Sequence, residues 1–247
     1  MAKGLCERIG IEGSRLKHQP TGKDAVIFDD YQENHSVSVR MVLDALTNPE
    51  HGVVASMKEI NAVGHRVVHG GEYFASSVII TDEVKEALEK CCDLAPLHNP
   101  ANLIGIAACE EIMPGVPQVG VFDTAFHQTM PERAYLYALP YEYYEKYKVR
   151  RYGFHGTSHR FVSEEVCKMM DRPYDQTKVI TCHLGNGGSV CAVRNGKSID
   201  TTMGFTPLEG LVMGTRAGDV DVAAVTYLMK KENLTVDEMD TVLNKKS

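Results

Sequence analysis

KVITCHLGNGGSVCAVRNGKSID, residues 178–200, holds two β-rich runs joined by LGNGGS and followed by Asn195-Gly196. Residues such as Val, Ile and Thr favour pleated backbone, and Asn-Gly lets both central residues of a two-residue hairpin take positive φ. The stretch therefore predicts a strand, a glycine loop, a second strand and a tight turn into a third. The loop fits two uses. Consecutive backbone N–H groups unobstructed by side chains cradle phosphate oxygens, and the same residues also make a plain connection between strands. It is not a complete GxGxxG, because Val190 stands where the third glycine belongs and no strand-to-helix step follows; nor is NGKS a Walker A loop, Cys191 replacing its upstream glycine.

Working outward, the segment TTMGFTPLEGLVMGTRAGDVD (201–221) is a glycine-punctuated loop, with two helices expected after it. Upstream, YGFHGTSH (152–159) resists a helix interior and suits a loop entering a helix, with Thr157 or Ser158 as the N-cap. Residues 131–151 are rich in Tyr and Pro and read as an ordered connection. QVGVFDTAFHQ (118–128) is an apolar strand that meets Asp123 and Thr124 at its C-terminal end, where α/β sheets place ligands. Further back lie a helix from about Thr81 to Cys92, a strand within NAVGHRVVHGG (61–71), and a helix ending near Asn48-Pro49. The opening is a strand turning at Gly13, with another possible at DAVIFDD.

Composition excludes several classes. With 43% hydrophobic residues in 247, the chain buries a sizeable core. Net charge is −7, so no general basic surface is offered to nucleic acid. Seven cysteines without a CxxC pair suggest neither a disulfide framework nor a zinc knuckle. No apolar run approaches the ~18 residues of a membrane span, and no signal-like N-terminus is present, so a cytoplasmic protein without membrane attachment is expected.

Four chemistry-bearing features remain. His155 and His159 make an HxxxH pair, but Gly156 replaces the glutamate a zincin requires. Arg66 on an apolar strand and Arg216 between glycines are each readable as salt-bridged structural residues; together they could form two forks on one anion. Asp123 is open to three roles: a base, a ligand to metal-bound water, or the partner of an arginine.

GHRVVHGGE, LAPLHNP, VFDTAFHQTMP, YGFHGTSH, CHLGNGGS, MGFTPLEGL and MGTRAGD occur in this order, and with this spacing the chain resembles the acetate kinase (acetokinase) family over essentially its whole length. The resemblance implies an α/β fold of the actin, sugar kinase and Hsp70 type, ribonuclease H-like, incomplete here, with domains at 1–127 and 128–247. It implies ATP and acetate converted to ADP and acetyl phosphate with Mg²⁺, in a full-length form that is a homodimer. By resemblance, Arg66 and Arg216 grip the substrate and the phosphoryl group in flight. His155 stabilises the transition state, Asp123 is the essential acidic residue, and His98 has a lesser effect. His183, Leu184, Gly185, Asn186 and Gly187 resemble the ATP phosphate loop, and Val68, Leu97, Phe154 and Pro207 the pocket for the substrate methyl group.

The family pattern also includes an opening NxGSSSxK-like phosphate loop and a late glutamate near Mg²⁺, and neither is found in this sequence. The expectation is therefore a chain truncated at both ends, without the family's metal ligands and with weak activity or none. Competing readings are a propionate or butyrate kinase, because one methylene alters discrimination by only ~1–3 kcal/mol, and a non-catalytic remnant. A His/Cys metallohydrolase lacks its motif.

Overall fold

The computed structural model describes residues 1–96 and 98–247 and falls into two compact units. The first comprises 1–66, 78–92 and 96–120; the second 67–77, 93–95 and 121–247.

In the first unit β1 (Ala2–Glu7) and β2 (Arg15–Pro20) pair antiparallel from Ala2↔Pro20 to Glu7↔Arg15, and β3 (Val26–Phe28) continues the meander along β2. β2 buries alternate residues, Leu16 and His18 among them, as a half-covered strand should. α1 (His35–Thr47) starts where Asn34 accepts a hydrogen bond from the Val37 amide at 3.0 Å, and it stops before Pro49. β4 (Val63–Val67), β5 (Val78–Ile79) and β6 (Gln118–Phe122) form a second sheet in the order β4-β6-β5. α2 (Asp82–Lys90) is capped by Thr81, and α3 (Asn99–Ile112) carries Pro100 in its first turn, where the missing N–H costs nothing.

The core of this unit is made where α1 meets α3. Leu43, Cys109 and Met113 are buried there, with Val39, Leu46, Ile60 and Val63 packed around them. Truncating Leu43 to alanine would cost about 2–5 kcal/mol by lost transfer energy and the cavity left behind.

In the second unit, α4 (Glu132–Tyr135) and α5 (Tyr141–Tyr147) come from the Tyr- and Pro-rich segment. A polar cluster fastens this segment. The buried Arg150 donates from Nη1 to Glu72 Oε1 at 2.8 Å, Tyr144 donates to the same oxygen at 2.9 Å, and the guanidinium lies 3.7 Å from the Tyr135 ring centroid. α6 (Gly156–Met169) leads to β7 (Lys178–Leu184), β8 (Gly188–Arg194) and β9 (Lys197–Thr201), an antiparallel meander. Asn195 and Gly196 both have positive φ, 53° and 75°, as the sequence predicts for that turn. α7 (Val222–Glu232) and α8 (Val236–Lys245) follow. Asp221 caps α7 and a Thr235/Glu238 capping box opens α8, but no residue of α7 is buried among the described residues.

The start of α6 differs from expectation. Neither Thr157 nor Ser158 is the cap: the helix begins at Gly156, after His155 in left-handed conformation at φ 58°. The cause is tertiary. The Gly156 amide is already satisfied by the Asp123 carbonyl at 2.8 Å, so the first turn needs no side-chain cap there.

Candidate active site

The second unit assembles its polar centre around the end of β6. Asp123 is buried; its amide donates to the Val67 carbonyl at 3.0 Å, and its carbonyl receives the first amide of α6. Thr124 Oγ1 accepts from the Gly70 amide at 3.1 Å, and Gln128 donates to the Gly71 carbonyl at 2.8 Å, which fixes the HGG turn that follows β4. One short segment of chain therefore positions both the turn and the helix.

His155 is set by its neighbours on either side. Gly153 has φ 73°, and a Cβ there would lie 2.4 Å from Thr201 Cγ2, so no other residue fits. His127, fully buried, must donate from Nε2 to the Phe154 carbonyl at 2.9 Å, leaving Nδ1 to accept from Ser198 at 2.8 Å. Burial pulls the pKa of His127 down to about 4, the bond to Phe154 opposing it, so the ring is neutral at pH 7. The His155 ring stacks on His183 with centroids 4.0 Å apart, and His183 Nδ1 lies 2.9 Å from Ser158 Oγ.

The glycine loop between β7 and β8 is closed by a Gly185 amide bond to the Gly187 carbonyl at 3.1 Å, and the Gly214 amide bonds to the Asn186 carbonyl at 3.3 Å. Arg216 donates from Nη1 to the Pro207 carbonyl at 3.0 Å. A Cβ placed on Gly187 would lie 3.3 Å from Arg216 Nη1 and 3.5 Å from His155 Nε2. A cation, an imidazole nitrogen and the glycine at 187 thus border one small space, an arrangement that suits an anion. Beside it, Val68, Phe154 and Met203 form a buried apolar cluster with Met213 against it.

The structure brings Asp123, His155, Arg216, Val68, Phe154, Pro207 and residues 183–187 together in this second unit. Pro207 contributes its carbonyl under Arg216. Arg66 and His98 belong to the first unit: Arg66 is an exposed residue of β4 whose carbonyl accepts from Asn102 at 3.3 Å, and His98 caps α3 with its carbonyl. Leu97 lies outside the described residues. Met203, Met213, Ser189 and His127 lie within the family motifs and Thr181 just before one, yet nothing in the sequence singles them out, because most of their partners are distant in sequence. Among the described residues no group of three or more His, Cys, Asp or Glu side chains is placed to hold a metal ion. Mg²⁺ held mainly by phosphate oxygens and water needs only one or two carboxylates, and the buried Asp123 carboxylate fits that demand. No helix among the described residues is long and apolar enough to cross a membrane, and Cys6, Cys91, Cys109, Cys167, Cys182 and Cys191 are free thiols.

Residues 1–247 match the sequence model of the Acetokinase family. The acetate kinase of Desulfitobacterium hafniense (strain DSM 10664 / DCB-2) is 62% identical over 246 residues, and that of Alkaliphilus metalliredigens (strain QYMF) is 60% identical over 247. Both alignments cover 100% of this chain and 62% of the relative, so the chain spans about 62% of the length of the curated relatives it matches. Among solved structures, the crystal structure of Porphyromonas gingivalis acetate kinase superposes with a TM-score of 0.95 at 51% identity, covering 100% of this chain and 62% of that one. A propionate kinase from Francisella tularensis subsp. tularensis SCHU S4 gives 0.92 at 43%, with the same coverage.

Proposed function

The chain belongs to the acetokinase family, whose members are phosphotransferases, and from that premise we propose that it handles the acyl and phosphoryl groups in the reaction ATP + acetate ⇌ ADP + acetyl phosphate. Its fold is the actin and sugar kinase type of its structural relatives. The observation that carries the reading is the space at Gly187 bordered by Arg216 Nη1 and His155 Nε2.

In-line phosphoryl transfer asks the protein for position and charge stabilisation more than for covalent chemistry. Acetate is already ionised at neutral pH, so no base is needed to activate its carboxylate oxygen. That oxygen attacks the γ-phosphorus as the bond to the ADP oxygen breaks, and negative charge spreads over the equatorial oxygens. Arg216 meets that charge with a guanidinium, His155 with a ring N–H, and the loop with the amides of Asn186 and Gly187, that of Gly185 being bonded to the Gly187 carbonyl. The roles of Arg66 as a second fork and His98 as a weaker contributor belong to the same reading. Mg²⁺ arriving with the nucleotide would screen phosphate charge, with Asp123 as the carboxylate nearest in kind to what it needs. The methyl group is assigned to the cluster of Val68, Phe154, Met203 and Met213. Methionine is the most adaptable apolar side chain, so propionate is a second acceptable acyl group, in keeping with the likeness to a propionate kinase. Action in the cytoplasm and in a homodimer remains part of this proposal.

The test is protection of the chain against thermal unfolding by acetyl phosphate, followed for the unchanged protein and for Arg216→Ala. Protection that largely disappears in the variant supports the assignment, whereas equal protection of both refutes it. Hydroxamate formation from ATP, Mg²⁺, acetate and hydroxylamine then measures turnover directly.

A further inference from the structure

Behind His155 lies a buried row of polar groups that the reading above does not use. His155 Nδ1 is 2.8 Å from Ser189 Oγ, the same oxygen is 2.8 Å from His159 Nε2, and His159 Nδ1 is 2.7 Å from Thr181 Oγ1. Ser189, His159 and Thr181 are at 0%, 1% and 3% relative exposure. The row crosses three elements, from the cap of α6 through β8 and back through α6 to β7.

We propose that Thr181, His159 and Ser189 form a one-directional hydrogen-bond relay that holds His155 as the tautomer protonated on Nε2, with that N–H directed at the space beside Gly187 and Arg216. These three are positioning residues: they act through His155.

The direction follows from counting protons. His159 has its pKa pulled down to about 3, by burial first and then by His127, His155 and His183, so the ring is neutral and carries one N–H. Each hydroxyl also has one proton, leaving two ways to fill the row. In the first, Thr181 donates to His159 Nδ1, His159 Nε2–H donates to Ser189, and Ser189 donates to His155 Nδ1; every buried donor is used. In the second, His155 Nδ1–H donates to Ser189, Ser189 to His159 Nε2, and His159 Nδ1–H to Thr181. The Thr181 hydroxyl proton then has no acceptor, since Oγ1 has no hydrogen-bond partner except His159 among the described residues. An unmet buried donor is costly enough to favour the first arrangement by about tenfold or more. The first arrangement alone leaves His155 Nε2 as a donor, the form that an oxyanion requires.

The value of the relay to catalysis rests on the reading of His155 above, but the tautomer is measurable in the resting chain without any substrate. Long-range ¹⁵N–¹H spectra of the ¹⁵N-histidine-labelled protein at pH 8 report which ring nitrogen carries the proton. The expected result is His155 and His159 both protonated on Nε2. In Thr181→Val, which keeps the shape and removes the donor, the Nε2–H to Nδ1–H ratio of His155 should fall by about tenfold, while Thr181→Ser should retain it. A packing role alone would not move the tautomer of a ring two hydrogen bonds away. A proton on Nδ1 of His155 in the unchanged chain overturns the proposal, and that spectrum decides the matter even where a variant does not fold. An unchanged ratio in a folded Thr181→Val protein overturns it equally. Either failure would leave the Arg216 binding result standing, so the two readings fail separately.

Discussion

Gly187→Ala separates binding from folding. Its Cβ would lie 3.3 Å from Arg216 Nη1 and 3.5 Å from His155 Nε2, which is tight but not a collision with backbone. The guanidinium or the ring need yield only a few tenths of an ångström, and no positive φ strains the new residue. Folding stability should therefore change by about 0.5 kcal/mol or less, the usual range for a site without a burial or backbone penalty. Anion binding should suffer much more. The methyl group occupies the space in which a phosphoryl oxygen would meet Arg216, and losing one charge-assisted hydrogen bond costs about 1.5–3 kcal/mol. At 1.4 kcal/mol per decade that is roughly a 10- to 150-fold weaker Kd. Calorimetric titration with acetyl phosphate gives the affinity, and a urea melt of the same sample gives the stability. Unaltered affinity in a folded variant would refute the placement of the anion. A variant destabilised by several kcal/mol would refute the claim that this glycine serves the ligand more than the fold.

Gly153→Ala should behave in the opposite way, losing about 2–4 kcal/mol in a urea melt because it combines positive φ with a 2.4 Å approach to Thr201. Arg150→Ala should cost about 1–3 kcal/mol, less than a fully buried pair because the Glu72 side chain is 28% exposed, and Glu72→Gln should recover part of that loss in the double variant. Acid should destabilise the protein through histidines held neutral by burial: His69 and His127 are pulled down to about 4 and His159 to about 3. All three take up protons more readily when unfolded, near pH 6.5, so the stability they confer is complete above that pH and is lost as pH falls towards 4. The slope should reach up to about 1.4 kcal/mol per pH unit for each histidine, and urea midpoints that stay level between pH 7 and 5 would contradict it.

The meander of β7 to β9 was legible because its information is local: β-favouring runs and an Asn-Gly turn need no distant partner. The helix that follows His155 was legible as a helix, but its first residue was not. Its cap is replaced by the Asp123 carbonyl, 33 positions earlier in the chain, and no local pattern reports that contact. The same reason hid Ser189 and Thr181, which are two residues among many on β-strands until the fold sets His159 between them. Seven motifs marked the candidate site, yet they could not tell which residues border the space at Gly187 and which only hold those that do. Pro207 illustrates the difference: expected among the apolar pocket residues, it supplies a carbonyl to Arg216.

α7 was described as a helix in which no residue is buried. An eleven-residue helix is marginal by itself in water, and here the Asp221 cap and a few neighbouring side chains must hold it. Its amide protons should therefore trade with solvent deuterium through small local openings, long before those of β8, where Cys191 and Val193 are buried. The two halves of the same unit would then keep different clocks, a slow one at the strands beside the proposed anion site and a fast one at α7.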